Sequence, residues 1–336
     1  MKITMKQFSD QVKNHIKDYL PEEYKDASVD IREIHKANGQ DMTGILIHRE
    51  SDSIIPTIYL DRYITPINEG SADLDSALSE VAQVFLDNQS TLDADSFTKK
   101  FMDFDKIKND IVFSVVSSRL SEEYISDKPH REKEDLSLIY RVLVNDMSSE
   151  QGMGSIVVGN DHMKNWGVTE QDLYEAAIKN TKEKMVTRIV PMNSMLDELM
   201  PGMNAEEQFP DNQMYVITND KKLYGAAALF ADKAAMDNLC EKLGSGVTIL
   251  PSSVHELLAL PDKTMVPFDG KHNPAEDFAQ MIVEVNETQV PDDEILSDIP
   301  YHYSPEDGFE KASDYFNREI EKTMEAEENK DDVSLD

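Results

Sequence analysis

The sequence predicts an α+β fold, with mixed or mainly antiparallel sheets packed against helices in two sub-domains and an acidic, disordered tail. Two patterns recur along the chain: apolar residues three or four positions apart, which indicate helices, and β-branched runs bounded by turn residues, which indicate strands. They alternate irregularly, whereas a doubly wound nucleotide-binding fold needs strands and helices in regular alternation. The irregular order therefore favours α+β architecture.

The N-terminal sub-domain is predicted to span residues 1–127. The pair Asn38-Gly39 tolerates the positive φ of a tight turn, so the residues around it are predicted to form a β-hairpin. A β-branched run later in this part predicts a buried strand. The predicted elements are a helix over 4–19, the hairpin over 28–49, a helix over 71–87 and the strand over 110–118.

The C-terminal sub-domain is predicted to span 136–290, after a charged loop over 128–135. Residues 135–146 and 153–161 are predicted to pair as an antiparallel hairpin, because their connector is polar and ends in glycine. Other strands are predicted over 187–192, 213–219, 223–230 and 247–251, and helices from Thr169, from Asn193, and over 231–243, 252–260 and 273–285. The acidic segment 291–336 is predicted to be largely flexible, because it is rich in charge and poor in apolar residues.

The charge of the chain limits its partners. It has 66 acidic and 33 basic residues, for a formal net charge of −33. Such a surface repels nucleic-acid phosphates and anionic membranes and attracts basic proteins, so the predicted partner is a protein with a basic surface, with no direct binding to nucleic acid or membrane. A sharper alternative is that the acids mimic nucleic acid and occupy a DNA- or RNA-binding protein. The simpler interpretation, which charge patterning favours, is a solvated acidic surface.

The compartment predicted from the sequence is the cytoplasm. Cys240 is the only cysteine, so no intrachain disulfide forms, which fits a reducing compartment. The N-terminal segment is charged throughout and lacks the apolar core of a secretory signal. No run approaches the ~18 apolar residues of a transmembrane helix.

The pair His255-Glu256 is one residue away from the zinc-protease pattern H-E-x-x-H. That site needs a second histidine one helical turn later to reach the same metal, and this position is Ala259. The segment is instead predicted to be a short helix capped by Ser252 or Ser253 and ended by Pro261, with Glu256 completing a capping box if Ser253 is the cap. We therefore expect no metal and no cofactor here.

A second pair, Asp161 and His162, follows a predicted strand. It is either a catalytic pair at the strand end or a turn and cap, as Asn and Asp often provide. Nucleophile-elbow and phosphate-loop signatures do not occur in the chain. Cys240 lies on the apolar side of its predicted helix, which favours packing over reactivity.

Several segments together resemble the bacterial family domain of unknown function 5688, over residues 1–300 approximately. They are "MKQFSDQVKNHIKDYLPEEY", "WGVTEQDLYEAAIKNT", "MYVITNDKKLYGAAALF" and "GVTILPSSVHELLALP". The unit around "WGVTEQDLYEAAIKN", with the later strands, is also similar to domain of unknown function 1444. These resemblances imply a cytoplasmic bacterial protein and supply no catalytic residue, substrate or cofactor. The distinctive region 215–261 forms either a site or only core.

Three functional hypotheses follow. The first is a non-enzymatic protein that acts through protein–protein interaction by its acidic surface. The second is a hydrolase with an unfamiliar site around His255 and Glu256, or around Asp161 and His162. The third is a nucleic-acid mimic that inhibits a DNA- or RNA-binding protein. The sequence predicts no particular oligomeric state.

Overall fold

The structure is a computed structural model that describes residues 2–50, 52, 55–88, 94–144, 154–264 and 272–333. These residues form the α+β architecture that the sequence predicts. The helices of this part of the chain are α1 Met5–His15, α2 Asp61–Glu69, α3 Leu74–Asp87, α4 Ala94–Phe101, α5 Phe104–Ile107, α6 Glu122–Ile125, α7 Asn160–Trp166, α8 Glu170–Lys184, α9 Met192–Leu199, α10 Ala205–Gln208, α11 Ala228–Ala231, α12 Lys233–Leu243, α13 Pro274–Thr288 and α14 Ala312–Val333. The strands are β1 Ser28–His35, β2 Asp41–His48, β3 Thr57–Tyr59, β4 Ile111–Ser117, β5 His130–Lys133, β6 Leu136–Val144, β7 Gly154–Val157, β8 Thr187–Pro191, β9 Tyr215–Asn219, β10 Val247–Ser253, β11 Glu256–Pro261, β12 Tyr301–Ser304 and β13 Gly308–Lys311.

In the described residues the strands form three antiparallel sheets. One has the order β1-β2-β3, and a six-stranded sheet has the order β13-β12-β10-β11-β9-β8. In the four-stranded sheet, β4 pairs along one edge of β6, while β5 and β7 pair with the first and second halves of its other edge. The predicted hairpin of β6 and β7 is confirmed by this pairing.

The first hydrophobic core packs α1 and α3 against the three-stranded sheet. Phe8 on α1 and Phe85 on α3 are fully buried in it, and its buried residues all lie between these two in the sequence. Both helices start at capping boxes, in which the side chains of Thr4 and Asp73 accept hydrogen bonds from the backbone three residues later. The N-terminal helices therefore begin where local sequence favours them.

The larger core joins residues of the four-stranded and six-stranded sheets with residues of helices α8, α11 and α12. Phe113 of β4 and Tyr140 of β6 enter it from one sheet, and Ile249 of β10 and Leu257 of β11 from the other. Because β4 belongs to this core, the change from one core to the other falls between α3 and α5. The predicted charged loop over 128–135 contains strand β5.

The predicted hairpin over 28–49 is confirmed as β1 and β2, which pair antiparallel. At its tip Asn38 and Gly39 have φ of 63° and 65°, the positive values that favour this pair. The amide of Asn38 donates to Ser121 Oγ over 3.0 Å, and its side-chain nitrogen donates to the carbonyl of Ile295 over 2.7 Å. The tip of the N-terminal hairpin is thereby attached to the rest of the chain.

The prediction of a helix over 252–260 is wrong. This segment is the turn and second strand of the β10–β11 hairpin. Burial alternates along β11, with Leu257 and Ala259 inside, which is the two-residue period of a strand. Ser253 accepts a hydrogen bond from the amide of His255 and so closes a turn where the sequence predicted a helix cap.

The prediction of a strand over 223–230 is also wrong, because this segment forms a 3-10 turn over Gly225–Ala227 and then α11. Its alanines pack into the larger core as a helical surface. Ala has a higher propensity for helices than for strands, and here that preference prevails over the apolar run that suggested a buried strand.

The described part of the segment that the sequence predicts to be largely flexible, residues 291–333, contributes two strands to the six-stranded sheet. Strands β12 and β13 extend the six-stranded sheet, with β12 paired to β10. Tyr301, Tyr303 and Phe309 are buried in the larger core, and this apolar content stabilises the segment despite its acidity. Helix α14 then runs to Val333. Across the described residues, no helix has the length and apolarity needed to cross a bilayer.

Candidate functional site

His255 lies in the turn between β10 and β11, and both its imidazole ring and its backbone carbonyl contact neighbouring residues. Its Nδ1 accepts a hydrogen bond from the amide of Tyr224 over 3.0 Å, and its Nε2 lies 3.5 Å from Glu294 Oε1. Its carbonyl accepts from the amide of Gly225 over 3.0 Å and from Thr218 Oγ1 over 3.1 Å. Both ring nitrogens are therefore engaged by the protein itself, and the ring holds the turn at Tyr224 against the hairpin.

The carboxylate beside His255 is Glu294, and the sequence-adjacent Glu256 lies elsewhere. Glu256 begins β11 and lies 3.3 Å from Ser252 Oγ. Glu294 comes from a 3-10 turn over Asp292–Glu294, and its backbone carbonyl accepts a hydrogen bond from the amide of Val254. Sequence reasoning missed Glu294 because it is one of many acids in its segment, and no spacing relates it to His255.

Asp161 and His162 do not come together as a catalytic pair. His162 Nδ1 accepts a hydrogen bond from the amide of Gly159 over 3.1 Å, which caps α7. Its ring packs edge-on against Phe101. Asp161 points to solvent and pairs with Lys164 over 3.1 Å. The geometry is that of a turn and helix cap, the alternative that the sequence left open.

Arg141 lies on the face of the four-stranded sheet that is turned away from the larger core, where two small apolar clusters also lie. Its Nε donates to Ser114 Oγ over 2.9 Å and its Nη1 to Ser155 Oγ over 3.0 Å. The guanidinium carbon lies 4.6 Å from the ring centroid of Tyr224. Two hydroxyl groups and the ring of Tyr224 thus hold the guanidinium of Arg141 in place. Tyr224 belongs to the turn that the contacts of His255 hold.

Tyr124 of α6 lies on the same face. Burial raises the pKa of its phenol, and the positive charge of Arg141 opposes that shift. The phenols of Tyr224 and Tyr59 are close enough to affect the same pKa. Arg141 therefore lies near Tyr224 and Tyr124, which come from distant parts of the sequence.

Helix α13 carries a second exposed feature. Met281 and Val285, one helical turn apart, are 50% and 41% exposed, and the partly buried Phe278 precedes them on the same side of the helix. The charged residues of α13 are all acidic: Glu276, Asp277, Glu284 and Glu287. The helix therefore presents an apolar stripe among carboxylates.

Two further features of the described residues bear on possible chemistry: the thiol of Cys240 and the side chains that could bind a metal ion. Burial raises the pKa of the Cys240 thiol to about 11, which keeps it protonated at neutral pH. No three or more His, Cys, Asp or Glu side chains of the described part are grouped to hold a metal ion. The region 215–261 is largely core, apart from the turns that hold Tyr224 and His255.

Replacing His255 with Ala is expected to raise the pKa of Glu294 toward its ordinary value of 4.5. The hydrogen bond from His255 now holds that pKa below this value, against the opposing effect of burial. A lowered carboxyl pKa contributes stability above the unfolded value, and the contribution is lost as pH falls through the folded value. As the pH falls below about 4.5, the wild type should therefore lose more stability than the variant does. The difference between the two losses should be less than about 1 kcal/mol, because Glu294 is partly exposed.

The measurement is a carbon NMR titration of the Glu294 carboxyl group, with urea unfolding at each pH. Glu256→Gln is the matched control, since Glu256 is adjacent in sequence and does not contact the imidazole in the structure. An unchanged Glu294 titration in the His255 variant would contradict the pairing seen here.

Comparison with known proteins adds one finding. The family model described as "Family of unknown function (DUF5688)" matches residues 5–305. No curated protein and no solved structure matches the chain.

Proposed function

We propose that this chain, which belongs to the DUF5688 family of unknown function, is a non-enzymatic binding protein that holds a basic, amphipathic segment of a protein partner on helix α13. The observation that carries the proposal is the exposed pair Met281 and Val285 within a helix whose charges are all acidic. An amphipathic helix recognises such a surface through apolar anchors one turn apart. The proposal makes the acidic surface of the chain its interaction surface.

Apolar contact and charge contribute differently to this surface. Burying Met281 and Val285 against a partner removes two large apolar side chains from water, and this supplies most of the affinity. Carboxylates around the stripe, with the net charge of −33, attract a basic segment and raise its rate of encounter. A neutral or acidic amphipathic segment lacks the second contribution.

The contacts of His255 favour binding over the hydrolase alternative. A general base needs a ring nitrogen that reaches the proton of a substrate or water. In His255, Nδ1 accepts from a backbone amide and Nε2 faces Glu294. These contacts give the imidazole a structural role in the turn.

The double replacement of Met281 and Val285 with Ser is expected to weaken binding of a lysine–leucine peptide at least tenfold. The peptide, about 18 residues long, places leucines at helical spacing and lysines elsewhere. Each lost apolar side chain removes about 1 kcal/mol or more of burial. Fluorescence anisotropy of the labelled peptide, at about 50 mM and about 300 mM salt, measures affinity and the share due to charge.

The control variant replaces Leu199 and Met200 with Ser, because these side chains are 61% and 48% exposed on a different surface. It should bind the peptide as wild type does. A second peptide, with alanines in place of the leucines, tests charge alone. If it binds as tightly as the first, or if the Met281 and Val285 variant is unaffected, α13 is not the binding surface, and the nucleic-acid-mimic hypothesis gains.

A further inference from the structure

We propose that Arg141 binds an oxyanion, a carboxylate or a phosphoryl group, where the four-stranded sheet meets the turn at Tyr224. This site is separate from α13 and does not depend on the function proposed for that helix. Its ligand carries the charge opposite to that of the α13 partner. The inference depends on the charge balance, the fixed geometry and the backbone around Arg141.

Charge balance is the first observation. Three other half-buried arginines each pair with a carboxylate: Arg49 with Asp52, Arg131 with Glu170 and Arg188 with Glu198. Within the described ranges, Arg141 has no carboxylate at ion-pair distance, although the chain has 66 acids. Removing a guanidinium from water without a counter-charge costs free energy, and a bound anion offsets this cost.

The fixed geometry of Arg141 is the second observation. Ser114 and Ser155 bind its Nε and one Nη, and Tyr224 covers one face of the guanidinium. Nη2 donates to no side chain or backbone oxygen of the described residues. A guanidinium held in one orientation with free N–H groups loses little entropy when it binds an oxyanion through two parallel hydrogen bonds.

Further hydroxyl groups lie beside the cation. Ser155 Oγ and the Tyr224 hydroxyl are 3.4 Å apart, and either one can donate to an anion. Hydroxyl and guanidinium donors, with no carboxylate of the described residues at ion-pair distance from Arg141, suit phosphoryl and carboxylate groups alike. The structure therefore indicates a ligand with an oxyanion group, and the experiment below distinguishes a carboxylate from a phosphoryl group.

The third observation is the backbone conformation of the turn beside Arg141. Lys222 and Tyr224 have φ of 53° and 55°, in the left-handed region that side chains other than glycine rarely adopt. The two hydrogen bonds from the amides of Tyr224 and Gly225 to His255 hold this turn in place. Such conformations cost about 1 kcal/mol or more and cluster at ligand sites. Here they place the Tyr224 ring over Arg141.

The test is isothermal titration of the full chain with inorganic phosphate and, separately, with acetate, at constant ionic strength set with chloride. Saturable binding of at least one anion is expected in wild type. Arg141→Gln removes the charge and should weaken that binding at least tenfold, because a hydrogen bond to a charged group contributes more than a neutral one. The stronger of the two anions identifies the ligand class.

Arg188→Gln is the matched control, because Arg188 already has Glu198 as its counter-charge; it should bind as wild type does. Ser155→Ala keeps the cation and removes one hydroxyl, and a two- to fivefold loss is expected whether or not Arg141→Gln folds. Absence of saturable binding of both anions to wild type would overturn the inference. Equal affinity in wild type and Arg141→Gln would overturn it too.

Discussion

Gly225→Ala is expected to lower the free energy of unfolding by about 3 kcal/mol or more. A Cβ at this position would lie 2.3 Å from the carbonyl oxygen of His255 and 2.7 Å from the Cα of Thr218. Both are backbone atoms, so neither can move aside without displacing the β10–β11 hairpin or β9. The amide of Gly225 also donates to that His255 carbonyl, and separating the two segments loses this hydrogen bond.

Urea unfolding followed by far-UV circular dichroism measures this effect. Gly70→Ala is the control: Gly70 has φ of 77°, and a Cβ there meets nothing within 4 Å. That variant incurs only the left-handed backbone cost, about 1 kcal/mol. If both variants lose the same amount, close backbone approach at Gly225 does not hold the turn against the hairpin.

Gly225→Ala should also affect anion binding at the proposed site around Arg141. The same turn places the Tyr224 ring 4.6 Å from the Arg141 guanidinium carbon. Displacing the turn should therefore weaken anion binding along with stability. Arg141→Gln removes the proposed ligand-binding group without this clash. Comparing the two variants therefore distinguishes the effect of the turn on anion binding from the effect of the guanidinium itself.

Elements with local signals were predictable from the sequence. Helix α8 has Thr169 as its cap, with the capping box completed by Asp172, and these residues are neighbours in the sequence. The β1–β2 turn has Asn38-Gly39, and its conformation depends on these residues themselves. In both cases the interactions that decide the structure lie within a few positions.

The segment after β10 lacked such a local signal. The residues Ser253 and Glu256 fit a helix cap as well as a strand turn, and only pairing of β11 with β9 and β10 decides between them. Tertiary pairing of this kind overrides local preference. The same limit explains the error at 223–230. The strands of the acidic C-terminal segment likewise depend on a sheet edge far away in sequence.

The candidate sites were predictable only in part. His255 was recognised from its neighbours, but its partners Tyr224 and Glu294 lie in other segments. Arg141 carried no signal, because a lone arginine in an apolar strand is unremarkable until Ser114, Ser155 and Tyr224 are known to surround it. Assembly by the fold, and not spacing, creates that site.

Phe85→Ala is expected to destabilise the N-terminal unit by about 3 to 5 kcal/mol, the usual cost of removing a buried phenylalanine ring. Phe85 is fully buried and packs edge-on against Tyr24 with ring centroids 5.4 Å apart. Every buried residue of its core precedes α4, whereas the larger core begins at Ile107. The two cores predict two folding units, of which this variant weakens only one.

Hydrogen exchange with mass spectrometry resolves the two units. In Phe85→Ala, amides of α1, α3 and the β1–β2 hairpin should exchange faster, while those of β4 and β6 stay protected. Phe113→Ala, fully buried in the larger core, should reverse the pattern. The coupling between the units comes from the β1–β2 turn: hydrogen bonds of Asn38, the packing of Ala37 against the cluster around Val116, and the ion pair of Lys36 with Asp293. If either variant accelerates exchange equally in both regions, these contacts join the cores into one cooperative structure, and the chain unfolds as a single domain.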